Sequence, residues 1–153
     1  MKIISHRGNL NGPESETENS PQKIEQALKL GYECEIDVWY ESGNFTLCHD
    51  FKNNKRYNIN AEFLKKNGLW CHAKNIEAIS ALQKIDVNFF WHEDDKLTIT
   101  SKGWVWCHPT CKIPSERSII CLPELHNVNV QSFDGFCTDF IERYLSKVED
   151  AKN

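Results

Sequence analysis

The sequence contains no apolar run longer than a few residues, far short of the roughly 20 that cross a bilayer as a helix. Its start, Met1-Lys2-Ile3-Ile4, leads straight into Ser5-His6-Arg7 without the apolar stretch of a secretory signal. The expectation is a chain without a transmembrane segment, resident in the cytoplasm. An excess of basic residues is also lacking: 18 Lys plus Arg stand against 22 Asp plus Glu, for a formal charge of -4. No general positive field exists to hold a nucleic-acid backbone or an anionic membrane, so nucleic acid is not an expected partner. With 7 glycines and 5 prolines among 153 residues there is no Gly/Ser-rich or Pro-rich linker, and no repeat recurs. A single domain over residues 1–153 follows. Disorder is excluded by the 40% of hydrophobic and 11% of aromatic residues, a composition that can bury a core.

Cysteine is present, but in the odd number of 7. Without a secretory signal this suits free buried thiols in a reducing compartment better than a disulfide framework. The tight cluster Cys107-His108-Pro109-Thr110-Cys111 lacks the second ligand pair of a structural zinc site.

Alternating short apolar runs and helical patterns predict an α/β fold. Ile3 to Ser5 reads as a first strand, ended by Gly8 and a polar loop over Asn9 to Asn19. A helix follows, with Ser20 as cap, Pro21 at its first position, Ile24, Ala27 and Leu28 on one face, and Gly31 as its stop. Glu33 to Tyr40 and Phe45 to Cys48 read as strands joined at Glu41-Ser42-Gly43-Asn44, and Lys52 to Asn60 as a solvated loop. Leu69 to Ala73, a helix over Ile76 to Ile85, and Val87 to Trp91 give the βαβ alternation of parallel pairing. Further strands are expected at Leu97 to Thr100, Trp104 to Cys107, Ser118 to Leu122 and Gly135 to Thr138, before a closing helix over Ile141 to Val148.

His6, Asp37, Lys74, His92, His108, Glu124 and Asp139 each follow one of these apolar runs. In parallel α/β architectures ligands bind at the carboxyl ends of strands, so these side chains could ring one pocket, although any strand that reaches the surface also ends in something polar. In Glu35-Ile36-Asp37 the period of two sends both carboxylates to one face, where either a divalent ion or solvent on an edge strand must relieve their repulsion. Trp70, His72 and Lys74 likewise share a face, so His72 could be a third ligand and Lys74 a positive charge toward an anion. His92-Glu93-Asp94-Asp95 admits both a metal reading and a solvated turn. Phe89, Phe90, Trp91, Trp104 and Trp106 suit core packing, and Trp39, near the carboxylates, suits contact with a substrate.

His6-Arg7-Gly8 after the first strand, Glu18-Asn19-Ser20 before the first helix, Glu35-x-Asp37-Val38, His49-Asp50, and Asp134-Gly135-Phe136-Cys137-Thr138-Asp139 on the last strand resemble, in order and spacing, the glycerophosphodiester phosphodiesterases. The resemblance implies a TIM-type barrel that hydrolyses a small or lipid-derived phosphodiester beside one divalent ion. It implies His6 and His49 as general acid and base, Arg7 and Lys74 toward the substrate phosphate, and Glu35, Asp37 and His72 as metal ligands. Imidazole fits the first role independently, because it titrates near neutrality.

The chain departs from the family pattern in three places. Thr17 replaces a proline before Glu18-Asn19, and His72 stands where the family carries a glutamate before x-Lys. A neutral nitrogen ligand in place of a carboxylate weakens the Mg²⁺ or Ca²⁺ of the family relative to Mn²⁺ or Zn²⁺. A full barrel takes about 250 residues, so a chain of 153 implies a reduced (β/α) barrel of seven or so strands with several connecting helices missing in its second half. Connections such as Asn88 to Trp104 and Pro109 to Ser118 then replace helices, leaving outer strand faces that a second copy of the chain could cover. The alternative to an enzyme is a non-catalytic phosphate-binding or assembly protein derived from the same barrel.

Overall fold

The structure is a computed structural model that describes residues 1–111 and 116–150, with side chains through residue 145. Part of the expected Pro109 to Ser118 connection, residues 112–115, lies outside the described residues. The chain runs β1 Lys2–His6, α1 Pro21–Lys29, β2 Glu33–Glu41, β3 Asn44–Leu47, β4 Tyr57–Ile59, α2 Ala61–Leu64, β5 Leu69–Ala73, α3 Ile76–Lys84, β6 Phe89–Phe90, β7 Leu97–Ile99, β8 Val105–Cys107 and β9 Ser118–Cys121. Two 3-10 turns, Pro123–Leu125 and Val130–Ser132, lead to β10 Gly135–Thr138 and α4 Ile141–Asp150.

Local chemistry sets the first helix. Ser20 accepts from the Lys23 N–H at 3.4 Å, Pro21 takes the first turn where its missing N–H is not needed, and Gly31 turns the chain with φ of 89°. Asn75 caps α3 through the Ala78 N–H at 3.1 Å. Its carboxamide also bonds both main-chain groups of Tyr40, fastening the start of α3 to the end of β2.

Strands β6, β5, β2, β1, β10, β9 and β8 pair in that order, all parallel. The β3 and β4 strands extend β2 as antiparallel neighbours, and β7 folds back antiparallel on β8. Beyond β7, the Ser101 N–H donates to the Phe89 carbonyl at 2.7 Å, and the Ser101 hydroxyl accepts from the Phe89 N–H at 3.0 Å. Thr98 Oγ1 donates to the Trp91 carbonyl at 2.9 Å. These bonds draw the β7 and β6 ends of the sheet together. The result is a mixed α/β fold with few helices, a curled half-barrel sheet compatible with a reduced barrel.

Side chains alternate across each strand. Ile4, Trp70, Phe90, Trp106, Ile119 and Cys137 fill one face as a single cluster inside the curl. Cys34, Ile36, Val38, Cys71 and Ala73 face the other way and meet Ile24, Ala78 and Leu82 of the helices. In the thin half, Cys107, Ile120 and Phe136 are covered by Val130 and Phe133, with Tyr144 of α4 against them. A turn and one helix thus shield that face within the chain, while Leu97 and Ile99 of β7 stay exposed. All 7 cysteines are free thiols.

Two of the expected elements differ, and the short helix α2 was not expected. The Lys52 to Asn60 stretch is not all loop, because Tyr57 and Ile59 alternate with Asn58, pack on the core and pair with β3. Lysine and asparagine dominate the composition there and hide a three-residue pattern. Only Phe89–Phe90 of the expected Val87 to Trp91 strand is extended in the sheet, since its other edge is met by the Ser101 side chain rather than by a strand.

Gly135 lies inside the curl. A Cβ there would sit 2.7 Å from the Ile119 side chain and 2.7 Å from the Lys2 carbonyl, a backbone atom that cannot rotate away. Gly135→Ala is expected to destabilise the chain by about 1–3 kcal/mol through overpacking, read as a lower urea midpoint. An unchanged midpoint would contradict this placement of β10 against β1.

Candidate active site

The carboxyl ends of the parallel strands surround a cavity of about 390 Å³. His6 ends β1, Glu35 and Asp37 stand on β2, His72 on β5 with Lys74 just past its end, and His49 follows β3. Period two on β2 and β5, registered as Glu35 with Trp70 and Asp37 with His72, puts these side chains on the inner face.

Asp37 is fully buried and is the electrostatic centre of the group. Its Oδ2 meets Arg7 Nε at 2.8 Å and accepts from Asn19 Nδ2 at 3.0 Å; its Oδ1 lies 3.2 Å from His72 Nδ1 and 3.6 Å from Lys74 Nζ. The Asp37 N–H also donates to Asn19 Oδ1 at 2.9 Å, so Asn19 clamps the residue from both sides. Burial by itself raises a carboxyl pKa, but the Arg7 charge and the contacts of His49 and His72 hold Asp37 well below the usual range. Glu35 goes the other way. Burial and then the Asp37 charge push it up, against the pull of His6, Arg7 and His72.

Arg7 is aimed by its own backbone, with φ of 55° just before Gly8 at φ of 85°, a turn that leaves β1 sharply. A side chain on Gly8 would strike Lys23 Cβ at 2.8 Å, so glycine lets the turn pack on α1. The guanidinium reaches Glu18 at 3.2 Å and donates to His49 Nδ1 at 2.7 Å.

His6 Nδ1 pairs with Asp139 Oδ1 at 2.8 Å, and its Nε2 lies 3.8 Å from Glu35 Oε2. Burial disfavours the imidazolium, yet the Asp139 hydrogen bond and the Glu35 charge prevail, and the His6 pKa is raised to about 9. Asn9 bonds Asp139 at 2.8 Å and Glu18 at 3.1 Å, linking the two ends of the network. His72 is held by stacking: its ring lies parallel to His92 at 4.5 Å and to Phe90 at 5.1 Å. Burial and the neighbouring His72 lower the His92 pKa to about 4.

One ligand atom each from Glu35, Asp37 and His72 lies within 4.8 Å of the others. Glu35 Oε2 and Asp37 Oδ1 are buried without a hydrogen-bond partner. Two carboxylate oxygens left so beside an imidazole nitrogen are the donor set of a divalent cation. Among the described residues no other group of three potential ligands comes together, so neither His92-Glu93-Asp94-Asp95 nor the Cys107 to Cys111 cluster does so. Glu93 and Asp95 are exposed on the cavity, with His92 and His108 also lining it.

The seven expected site residues His6, Arg7, Glu35, Asp37, His49, His72 and Lys74 stand together in one network. Trp39 does not reach the cavity: its indole N–H donates to the Cys48 carbonyl at 2.9 Å and its ring packs on Phe51. Trp91, two strands away, lines the cavity instead. Glu124 faces inward under the rim and accepts from Thr138 Oγ1 at 2.9 Å and the Asp139 N–H at 3.1 Å. The contacts of Asn9, Asn19 and Asp139 were not legible in the sequence, where Asn19 and Asp139 stood out only as members of the ordered motifs and Asp139 also as a strand end.

No family model matches the sequence, and no curated protein matches it. A solved structure does: that of a glycerophosphodiester phosphodiesterase from Parabacteroides distasonis ATCC 8503, at a TM-score of 0.64 and 13% identity, over 99% of this chain and 98% of that one. No helix among the described residues is long and apolar enough to cross a membrane. The likeness is one of fold, it runs nearly end to end, and it is the fold that the ordered sequence motifs imply.

Proposed function

We propose that residues 1–153 act as one domain, a metal-dependent phosphodiesterase on a reduced (β/α) barrel, hydrolysing a glycerophosphodiester or a related small or lipid-derived phosphodiester. The observation that carries the reading is the pair of buried carboxylate oxygens of Glu35 and Asp37 that lack a hydrogen-bond partner beside His72, in a cavity also lined by two cations and four further imidazoles. Glu35, Asp37 and His72 would hold one divalent ion, and the nitrogen of His72 favours Mn²⁺ or Zn²⁺ over Mg²⁺ or Ca²⁺. Such an ion supplies charge to the phosphoryl oxygens and lowers the pKa of an attacking hydroxyl.

The chain's own groups divide the remaining work. Arg7 and Lys74 face the phosphate, the first with a planar fork that fits two oxygens. His6, protonated at neutral pH by its Asp139 contact, holds the proton that a departing alkoxide needs. His49 accepts at Nδ1 from Arg7; a phosphate that takes the guanidinium frees this nitrogen to receive a proton from the nucleophile. A protein that only bound phosphate would need Arg7 and Lys74, but not a buried His6–Asp139 pair beside the carboxylates.

Turnover of glycerophosphocholine, a lysophospholipid and bis(p-nitrophenyl) phosphate, each with Mg²⁺, Ca²⁺, Mn²⁺ or Zn²⁺ and with chelator, tests the reading. Metal-dependent turnover is expected, lowered about 10²- to 10⁴-fold in a folded His49→Ala variant. Turnover indifferent to chelator or to the substitution would overturn the assignment.

A further inference from the structure

Of the 7 free cysteines, Cys121 lines the candidate cavity and is partly exposed there. It ends β9, and its Cα partner on the parallel neighbour β10 is Cys137, which is fully buried. Paired residues on neighbouring strands point to the same face, and both side chains lie in the cluster inside the curl. The two thiols are hydrogen-bonded to each other. A strand spacing of about 4.8 Å falls within the roughly 4.4–6.8 Å between Cα atoms that a disulfide spans. Neither thiol serves the proposed phosphodiester chemistry. The other cysteines are placed differently: Cys34, Cys48 and Cys71 are buried and do not line the cavity, and Cys107 with Cys111 packs on the outer face. A half-open thiol on a cavity wall, backed by a buried second thiol in contact with it, is the arrangement of a reactive cysteine with a resolving partner.

We propose that Cys121 and Cys137 form a site of oxidative modification, at which a small hydroperoxide entering the cavity is reduced and the two strands become joined by a disulfide. The Cys121 sulfur attacks one peroxide oxygen and the O–O bond breaks. Cys121 becomes a sulfenic acid, and the other oxygen leaves with the thiol proton as water, or as an alcohol from an alkyl hydroperoxide. The Cys137 sulfur then displaces the sulfenic hydroxyl, which leaves as water with the Cys137 proton. Two thiols are oxidised to one disulfide as one hydroperoxide is reduced. A disulfide needs its Cβ atoms about 3.8 Å apart, closer than the strand spacing, so the bridge draws β9 and β10 together and is readily reversed by a thiol reductant. It precedes Asp139, the partner of His6, on the same stretch of chain.

In the test, the native wild-type chain is treated with hydrogen peroxide and then unfolded in excess alkylating agent. Cleavage by trypsin and then after Glu124 places Cys121 and Cys137 on separate peptides for mass spectrometry. The expected main product is the pair of peptides linked through Cys121 and Cys137, lost when the oxidised chain is first treated with dithiothreitol. In Cys137→Ala, which removes the resolving thiol, dimedone, a trap for sulfenic acids, is expected to label Cys121, and no linked pair forms. In Cys121→Ser, at a partly exposed position, Cys137 should stay open to alkylation after unfolding. Peroxide treatment that leaves both wild-type thiols open to alkylation, that oxidises Cys121 without joining it to Cys137, or that puts the dimedone adduct on Cys137 in Cys121→Ser overturns the proposal. Because no substrate or metal ion takes part, these outcomes are independent of the phosphodiesterase reading.

Discussion

Asp37→Ala is expected to lower stability by about 3–5 kcal/mol, whereas Glu35→Gln leaves it unchanged or raises it, although each variant loses Mn²⁺ binding and turnover. The two carboxylates are neighbours on one strand face, but their surroundings differ. The Asp37 carboxylate is the counter-ion of Arg7 at 2.8 Å and Lys74 at 3.6 Å, and it accepts from the Asn19 carboxamide N–H at 3.0 Å. Removing it leaves two partly buried cations and the buried Asn19 carboxamide N–H without their acceptor, which costs far more than the pair itself contributes. Glu35 keeps an oxygen with no hydrogen-bond partner, and burial next to Asp37 raises its pKa.

A carboxyl group whose folded pKa lies above the unfolded one subtracts stability wherever the unfolded chain ionises first, so a neutral amide relieves that penalty at neutral pH. The same shift means that a metal ion competes with a proton at Glu35, so Mn²⁺ affinity should rise with pH through the raised Glu35 pKa. Urea unfolding in chelator and Mn²⁺ calorimetry at several pH values read both effects. Equal stability losses in the two variants would show that the carboxylates share one role, against this division.

The second large effect concerns His6 and Asp139. Asp139→Asn is expected to reduce turnover about 10²- to 10⁴-fold and to move the loss of activity on the alkaline side to lower pH. The Asp139 contact at 2.8 Å is what lifts the His6 pKa to about 9 against the opposing effect of burial, so the neutral amide lets it fall. Stability should follow. A histidine raised from 6.5 to about 9 contributes stability that is fully present below pH 6.5 and disappears as the pH climbs through 9. The contribution is about 3 kcal/mol at most. Urea midpoints at pH 6 and pH 9.5 should differ in the wild type and converge in Asp139→Asn. Parallel pH dependence in the two proteins would remove His6 as the titrating group.

Several parts of this site could be read from neighbouring residues. Backbone geometry repeats every two residues along a strand, so Glu35 with Asp37, and Trp70 with His72 and Lys74, were bound to share a face whatever the strands paired with. The α1 cap was legible for the same reason, since Ser20 and Pro21 act within one turn. Lys52 to Asn60 misled because a three-residue strand offers too little alternation to outweigh its lysines and asparagines. Trp39 misled because alternation tells which side chains share a face but not what the opposite face meets, here Phe51 and the Cys48 carbonyl.

The sequence by itself therefore determined most of the strands and the first helix, the shared face of the two carboxylates, and the absence of a long apolar span, all properties of bonds and contacts within a few residues. The tertiary structure decided what those side chains meet. Asp139 comes from 133 residues away to raise His6, and Asn19 from 18 residues away to clamp Asp37. Ser101 draws the two ends of the sheet together. Strand order and loop path set such distances, and both are chosen by the burial of the whole core rather than by any short stretch of the chain.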